Sequence, residues 1–246
     1  MSTTKKPRSK SEQALDALIR QHPLQRLQSP SRTISAIVHT LGLASFAYSF
    51  DYLVSHPNEI NQAYGWHFQY LTIIGLSLAT LTFTLGIAAD TMLSRALFAA
   101  KNTLSMCAAP MEILISTLYW GLRAIDPALV VPPELELPLA ADLGFHLAPT
   151  LFLLADLLLL SPPWTIAALP ATLLSTVIAF LYWFWIEWCF TRNGFYPYPL
   201  FELLGYEQRL ALFAGCAVVM AAITVAVKWV YGRVNGVGSE RPGKVN

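Results

Sequence analysis

Charge is scarce in this sequence. Asp, Glu, Lys and Arg make up 13% of its 246 residues, about half the share of a typical soluble globular chain. No basic face on a folded soluble domain emerges, so nucleic-acid binding is not expected. Cysteine is scarce too: Cys107, Cys189 and Cys216 are odd in number and match no CxxC-type spacing. Neither a disulfide framework nor a thiolate metal site follows, and the three read as small buried hydrophobes. HExxH, P-loop and GxGxxG signatures are missing, as are N-glycosylation sequons. The stretch "GLSLA" at 75–79 approaches a GxSxG elbow. That elbow needs a sharp strand-to-helix turn, and Ser77 lies inside an apolar helical run, so it is rejected as a nucleophile.

Apolar residues are what the chain has in abundance, at 55% of the total. They gather in six stretches, 34–54, 68–93, 102–122, 138–160, 166–190 and 210–231, each near the ~20 residues that cross a bilayer as a helix. The fold expected is all-α: a polytopic membrane protein built as a bundle of six transmembrane helices. The third stretch is the weakest, because Asn102, Pro110 and Glu112 interrupt it.

Charge placement sets the expected orientation. With six spans, thirteen of the sixteen Lys and Arg fall on the side that holds both termini, and only Arg123, Arg192 and Arg209 fall on the other. The positive-inside rule then makes both termini cytosolic. Residues 1–33 read as a basic, largely disordered cytosolic tail, 34–232 as the transmembrane domain and 233–246 as a flexible cytosolic tail. Ser9 and Glu12 have capping-box spacing, so a short helix is expected near Ser9 to Gln21, suited to an anionic leaflet. A cleaved signal peptide is not expected. Trp66, His67, Tyr70, Tyr119, Trp120, Trp164, Trp188, Tyr196 and Tyr198 fall near span ends, as an aromatic belt does. "NGFYPYPLFELLG" reads as a rigid turn between the fifth and sixth spans.

Polar groups at membrane depth are functional candidates by default, with structural pairing as the competing reading. His146 and Thr150 share a helix face. Pro149 lacks an N–H, so the carbonyl of Phe145 loses its helical donor and a kink is expected beside the imidazole. A prepared site and a histidine that merely bonds a neighbouring helix fit His146 equally well. Thr72 by itself reads as a threonine bonded back to the carbonyl of Phe68. At 1.5 Å per residue, Thr72 lies roughly 6 Å and His146 roughly 12 Å into spans that run the same way, so the two can meet. Asp90 and Asp156 belong to the opposite layer, as partners for Arg95 or a lipid headgroup, or as wet residues near the interface. Glu112 reads as a structural partner, and Glu187 as a hydrated interfacial carboxylate. Paired haem ligation by His39 and His146 is geometrically possible but weakly signalled. No cofactor and no metal are expected.

Three stretches together, "YGWHFQYLT" at 64–72, "GFHLAPTLFLLAD" at 144–156 and "GFYPYPLFELLG" at 194–205, resemble the androgen-induced protein family of six-span eukaryotic membrane proteins. The resemblance covers most of the chain from the first span to the sixth. It implies a hydrolase of fatty acid esters of hydroxy fatty acids, with an intramembrane threonine nucleophile and a histidine partner. Residue by residue, the aromatic-Leu-Thr of the second span falls on Tyr70-Leu71-Thr72 and the Gly-x-His of the fourth on Gly144-Phe145-His146. Family members often carry a further histidine where this chain has Leu143, which bears on rate or substrate range. The partners implied are membrane lipids and an amphiphilic ester, and the location the endoplasmic reticulum or plasma membrane. The competing function is a non-catalytic lipid or solute transporter, or a regulatory scaffold, for which polar positions must connect both membrane faces.

Overall fold

The computed structural model of the protein describes residues 29–132, 135–162 and 168–236. The helix expected near Ser9 to Gln21, most of both tails, Trp164 and most of the loop around it lie outside the described residues. Among the described residues the fold is helical, with no strand.

Helix α1 spans Arg32–Ser55 and begins where the Ser31 side chain accepts the amide N–H of Ile34 at 3.4 Å, satisfying a donor that the helix itself leaves unpaired. Two short 3-10 helices, Glu59–Gln62 and Trp66–Gln69, lead into α2, Leu71–Met92. Leu93 ends α2 in the left-handed region (φ 53°) and Ser94 caps α3, Arg95–Ile125. A two-residue turn therefore makes α2 and α3 antiparallel neighbours. Helix α4, Leu139–His146, and α5, Ala148–Ala155, meet at Leu147, and a π-helical turn, Asp156–Leu160, continues α5. Helix α6 spans Ala168–Asn193, the short α7 Pro199–Glu202, and α8 Tyr206–Asn235. Helix α2 packs between α1 and α3, α6 packs on α8, and α3 touches α2, α4, α5 and α8.

Four helices, α1, α2, α6 and α8, are long and apolar enough to cross a membrane, and the bent pair α4–α5 makes a fifth if it counts as one span. Helix α3 does not reach that composition. Its Lys101, Asn102, Ser105 and Glu112 are buried inside the bundle, so its polar residues face other helices rather than lipid. The kink expected at Pro149 is present, and α4 and α5 diverge by 42°.

The buried polar groups form two layers. In one, His39 Nδ1 lies 2.8 Å from Asp90 Oδ2 and Nε2 lies 3.0 Å from Asp156 Oδ1. The Ser35 hydroxyl donates to Asp90 at 2.8 Å, Lys101 Nζ to Asp156 at 2.6 Å and the Ser105 hydroxyl to Asp156 at 3.3 Å. Asp90 and Asp156 are thus neither partners of Arg95 nor wet. Lys101, expected in a loop, lies within α3 and is 1% exposed. An imidazole that donates from both nitrogens balances the two carboxylates together with Lys101. With both nitrogens engaged, His39 has none left for an iron, which removes the paired haem reading. Gly86 lets the ring in, since a Cβ there would stand 2.6 Å from His39 Nε2.

Between this layer and the one around His146 lie Phe46, Leu76, Phe83, Ala108 and Leu153, all fully excluded from solvent. Each sits on its helix between the two polar levels. Among the described residues these apolar side chains separate the two polar levels, and Thr82 between them is bonded back to its own helix.

Asp156→Ala would leave Lys101 and His39 without their shared anion. Removing one partner of a buried ion pair costs about 3–5 kcal/mol. We expect a large fall in Tm in detergent, against little change for Glu136→Ala, whose carboxylate is 66% exposed.

Candidate functional site

Thr72 stands in the first turn of α2, where backbone N–H groups have no intrahelical acceptor. Two tyrosines supply one. The Leu71 amide donates to the Tyr182 hydroxyl at 3.1 Å and to the Tyr198 hydroxyl at 3.2 Å. Tyr182 in turn donates to the Gln69 carbonyl at 2.9 Å. The Thr72 hydroxyl and amide also lie close enough to the Tyr198 hydroxyl to interact with it electrostatically. Burial pushes the Tyr198 phenol up, so it stays a neutral hydroxyl at physiological pH.

The back-bond from Thr72 to the Phe68 carbonyl does not form. Thr80, Thr82 and Thr84 further along α2 each bond to the carbonyl four residues earlier. Residue 68 precedes the helix, and its carbonyl takes the Trp185 indole N–H at 3.0 Å. Among the threonines of α2, Thr72 is the one whose hydroxyl is not bonded back to its own helix.

His146 closes α4 at the kink. Its Nδ1 lies 2.8 Å from Asp142 Oδ1 and 3.2 Å from the Asp142 carbonyl, one turn back. A carboxylate there holds the proton on Nδ1 and leaves Nε2 as an acceptor. The ring stacks on Tyr119 with centroids 3.4 Å apart and planes 4° apart. Asp142 is itself held, with Arg123 Nη1 at 3.5 Å from its second oxygen, and Arg123 also donates to the neighbouring Tyr119 hydroxyl at 3.0 Å. Trp120 donates to the His146 carbonyl at 3.3 Å. Thr150, one turn on, donates to the Glu112 carbonyl at 2.8 Å, fixing α5 to α3.

Thr72 and His146 border one cavity of about 100 Å³. No hydrogen bond joins them directly; Tyr119 and Tyr198 also line the space. His67 lines it as well, with Nε2 3.3 Å from Asn61 Oδ1, and burial lowers its basicity and keeps it neutral. Leu143, which stands where family relatives often have a histidine, is exposed on the outside of α4.

Sequence reasoning missed Asp142, although its spacing of four from His146 within one helix was a readable signal. It also placed Tyr70, Tyr119, Tyr196 and Tyr198 in a headgroup belt. Tyr119 and Tyr196 are buried, and Tyr70, Tyr119 and Tyr198 wall the cavity. Tyr64, Phe68, Trp188 and Tyr206 are among the exposed aromatics of that end. Glu112, expected to be a structural partner, has no hydrogen-bond partner for either carboxylate oxygen and abuts Gly75, one turn along α2 from Thr72. Ser77 bonds back to the Ile73 carbonyl at 2.7 Å, as fits a residue inside a helix. The three cysteines are free; Cys189 is buried and Cys107 and Cys216 are partly so.

Residues 34–232 match the family described as FAR-17a/AIG1-like protein. The chain belongs to the FAR-17a/AIG1-like family. The family to which the three stretches point is thereby the right one, and Thr72, Asp142, His146 and Tyr198 all lie within the matched region. A relative in Schizosaccharomyces pombe, named a UPF0641 membrane protein, is 32% identical over 207 residues, covering 82% of this chain and 92% of its own. That name and the apolar helices agree that this FAR-17a/AIG1-like protein is an integral membrane protein. No solved structure matches it.

The turn that carries Tyr198 is clamped from both sides. Gly194 ends α6 in the left-handed region (φ 76°), Tyr196 stacks on Phe190 at 4.2 Å, and its hydroxyl donates to Glu187 at 3.0 Å. Glu187, expected to be merely hydrated, also holds Arg209 at 2.9 Å. Burial and the Glu187 carboxylate push the Tyr196 phenol up to about 12. An unfolded tyrosine ionises near 10, so the folded state holds the extra proton between the two values. The clamp's contribution is complete below that window and is lost as pH rises through it. Absorbance titration should show that the late-ionising tyrosine signal shrinks by one residue in Tyr196→Phe.

Proposed function

We propose that this protein is an intramembrane threonine hydrolase that cleaves lipid esters, with Thr72 as nucleophile and His146 as general base. One observation carries the reading: Thr72 and His146, brought from separate helices, border the same cavity, and Asp142 holds the imidazole through Nδ1, leaving Nε2 as the acceptor. The family resemblance supplies the substrate class, fatty acid esters of hydroxy fatty acids.

The chemistry follows from those positions. Thr72 Oγ bonds to the ester carbonyl carbon as Nε2 of His146 takes its proton. The bond from that carbon to the alcohol oxygen breaks, and the imidazolium gives its proton to the departing alkoxide. Water then attacks the threonine ester, losing a proton to Nε2, and that proton returns to Thr72 Oγ as the acid leaves. The Asp142 carboxylate stabilises the imidazolium that appears in both halves, and Arg123, which also donates to Tyr119, keeps the carboxylate in place. Nucleophile and base need to come within ~2.6–3.2 Å, so the Thr72 hydroxyl turns towards Nε2 when substrate fills the cavity they share.

The topology that suits this function has six spans, with α3 as the central one shielded from lipid by the others, and both termini in the cytosol. The basic tail 1–33 then lies against an anionic leaflet, at the endoplasmic reticulum or the plasma membrane. A transporter or permeation scaffold is the poorer fit, because the apolar layer of Phe46, Leu76, Phe83, Ala108 and Leu153 separates the two polar levels.

Purified protein should hydrolyse a branched lipid ester. Thr72→Ala and His146→Ala should each abolish turnover while keeping the wild-type melting profile, and full activity in either refutes the assignment. Asp142→Asn should lower kcat roughly 10²- to 10⁴-fold, the range of general acid–base contributions, with KM little changed.

A further inference from the structure

Thr72 borders a second cavity, of about 120 Å³, on the far side from His146. The two spaces have Thr72, Tyr119, Val130 and Tyr198 in common, whereas His146 lines only the first. The second runs away from Thr72 between α3, α6 and α8. From Leu122 to Met111 on α3 it follows eleven residues, about 16 Å of helix. Met111, Ile178 and Met220 form its far end. Beyond Thr72 and the tyrosines at the near end its walls are apolar, whereas the first cavity also presents Asn58, His67 and His146.

The two halves of an ester are not equivalent in the proposed reaction. The acyl half stays bonded to Thr72 Oγ after the first step. The alcohol half must leave beside the group that protonates its oxygen. Only one cavity offers that group. We infer that the acyl chain lies in the apolar cavity between α3, α6 and α8, and the alcohol in the cavity that holds His146. This inference rests on the hydrolase reading. The far end then makes Met111, Ile178 and Met220 the residues that limit acyl length, while Leu137 and Leu53, which line only the His146 side, limit the alcohol. An acyl chain bearing a polar group along its length is excluded, because the walls beyond the tyrosines offer no partner for it.

Two ester series on the full-length protein in detergent test this, one with a fixed nitrophenol and lengthening acyl chains, the other with a fixed acyl chain and enlarging alcohols. Met220→Trp should lower kcat/KM for the longest acyl chains about tenfold or more, as expected for an over-filled apolar pocket. Short acyl chains and the alcohol series should match wild type. Met220→Ala, which removes bulk, should extend the acyl limit instead, and decides the matter if the tryptophan variant does not fold. Leu137→Trp should shift the alcohol series alone. Met220 variants that shift the alcohol series, or a Leu137 variant that shifts the acyl limit, overturn the assignment while leaving the hydrolase intact. Wild-type protein that splits no ester in either series overturns the hydrolase reading itself, a different result from misplaced halves.

Discussion

Asp156 accepts hydrogen bonds from Lys101 on α3 and His39 on α1 while sitting at the end of α5, and the bundle is organised around that meeting. Inside an apolar bundle no bulk water stands ready to satisfy a charge, so each charged group must find its counterpart on another helix. His39 extends the contact to Asp90 on α2. Four helices are therefore pinned at one level by a set of groups that are each expensive to leave alone. Apolar packing against lipid-like surroundings has no comparable directional preference, so this network fixes which helices are neighbours and how they are rotated.

With one end pinned, the other end is free to hold a site. Pro149 releases α4 from the line of α5 at the kink beside His146, so the imidazole and Asp142 turn in against Tyr119. Thr72 reaches the same space because α2 starts there, and the first turn of a helix is where a side chain and amides are not consumed by the helix itself. A start and a break, rather than two continuous helices, bring Thr72 and His146 to one cavity. The apolar layer between the two polar levels separates the charged network at one end from the proposed site at the other.

Tyr119 and Tyr198 serve several purposes at once. Tyr119 stacks on His146, accepts from Arg123 and lines both cavities. Tyr198 accepts from the Leu71 amide beside Thr72 and lines both cavities as well. Their amphipathic rings suit a place where apolar chambers meet polar reacting groups, for the reason that suits such rings to a membrane interface. That is why a belt expectation and a site role are hard to separate in a sequence.

Composition and periodicity were enough to determine a helical membrane protein, the approximate extent of its apolar helices and the break at Pro149, because hydropathy and the missing proline N–H are local properties. Short motifs pointed to the family and, through it, to Thr72 and His146. The partners of Asp90, Asp156, Lys101 and His39 were not legible, since they lie on different helices and the helix rotations that join them depend on the whole bundle. The same holds for Tyr119 and Tyr198: their inward orientation is set by how α3 and the turn before α7 pack. Asp142 stands between the two cases, visible at a spacing of four from His146, yet given meaning only when the tertiary structure turned that helix face towards Thr72.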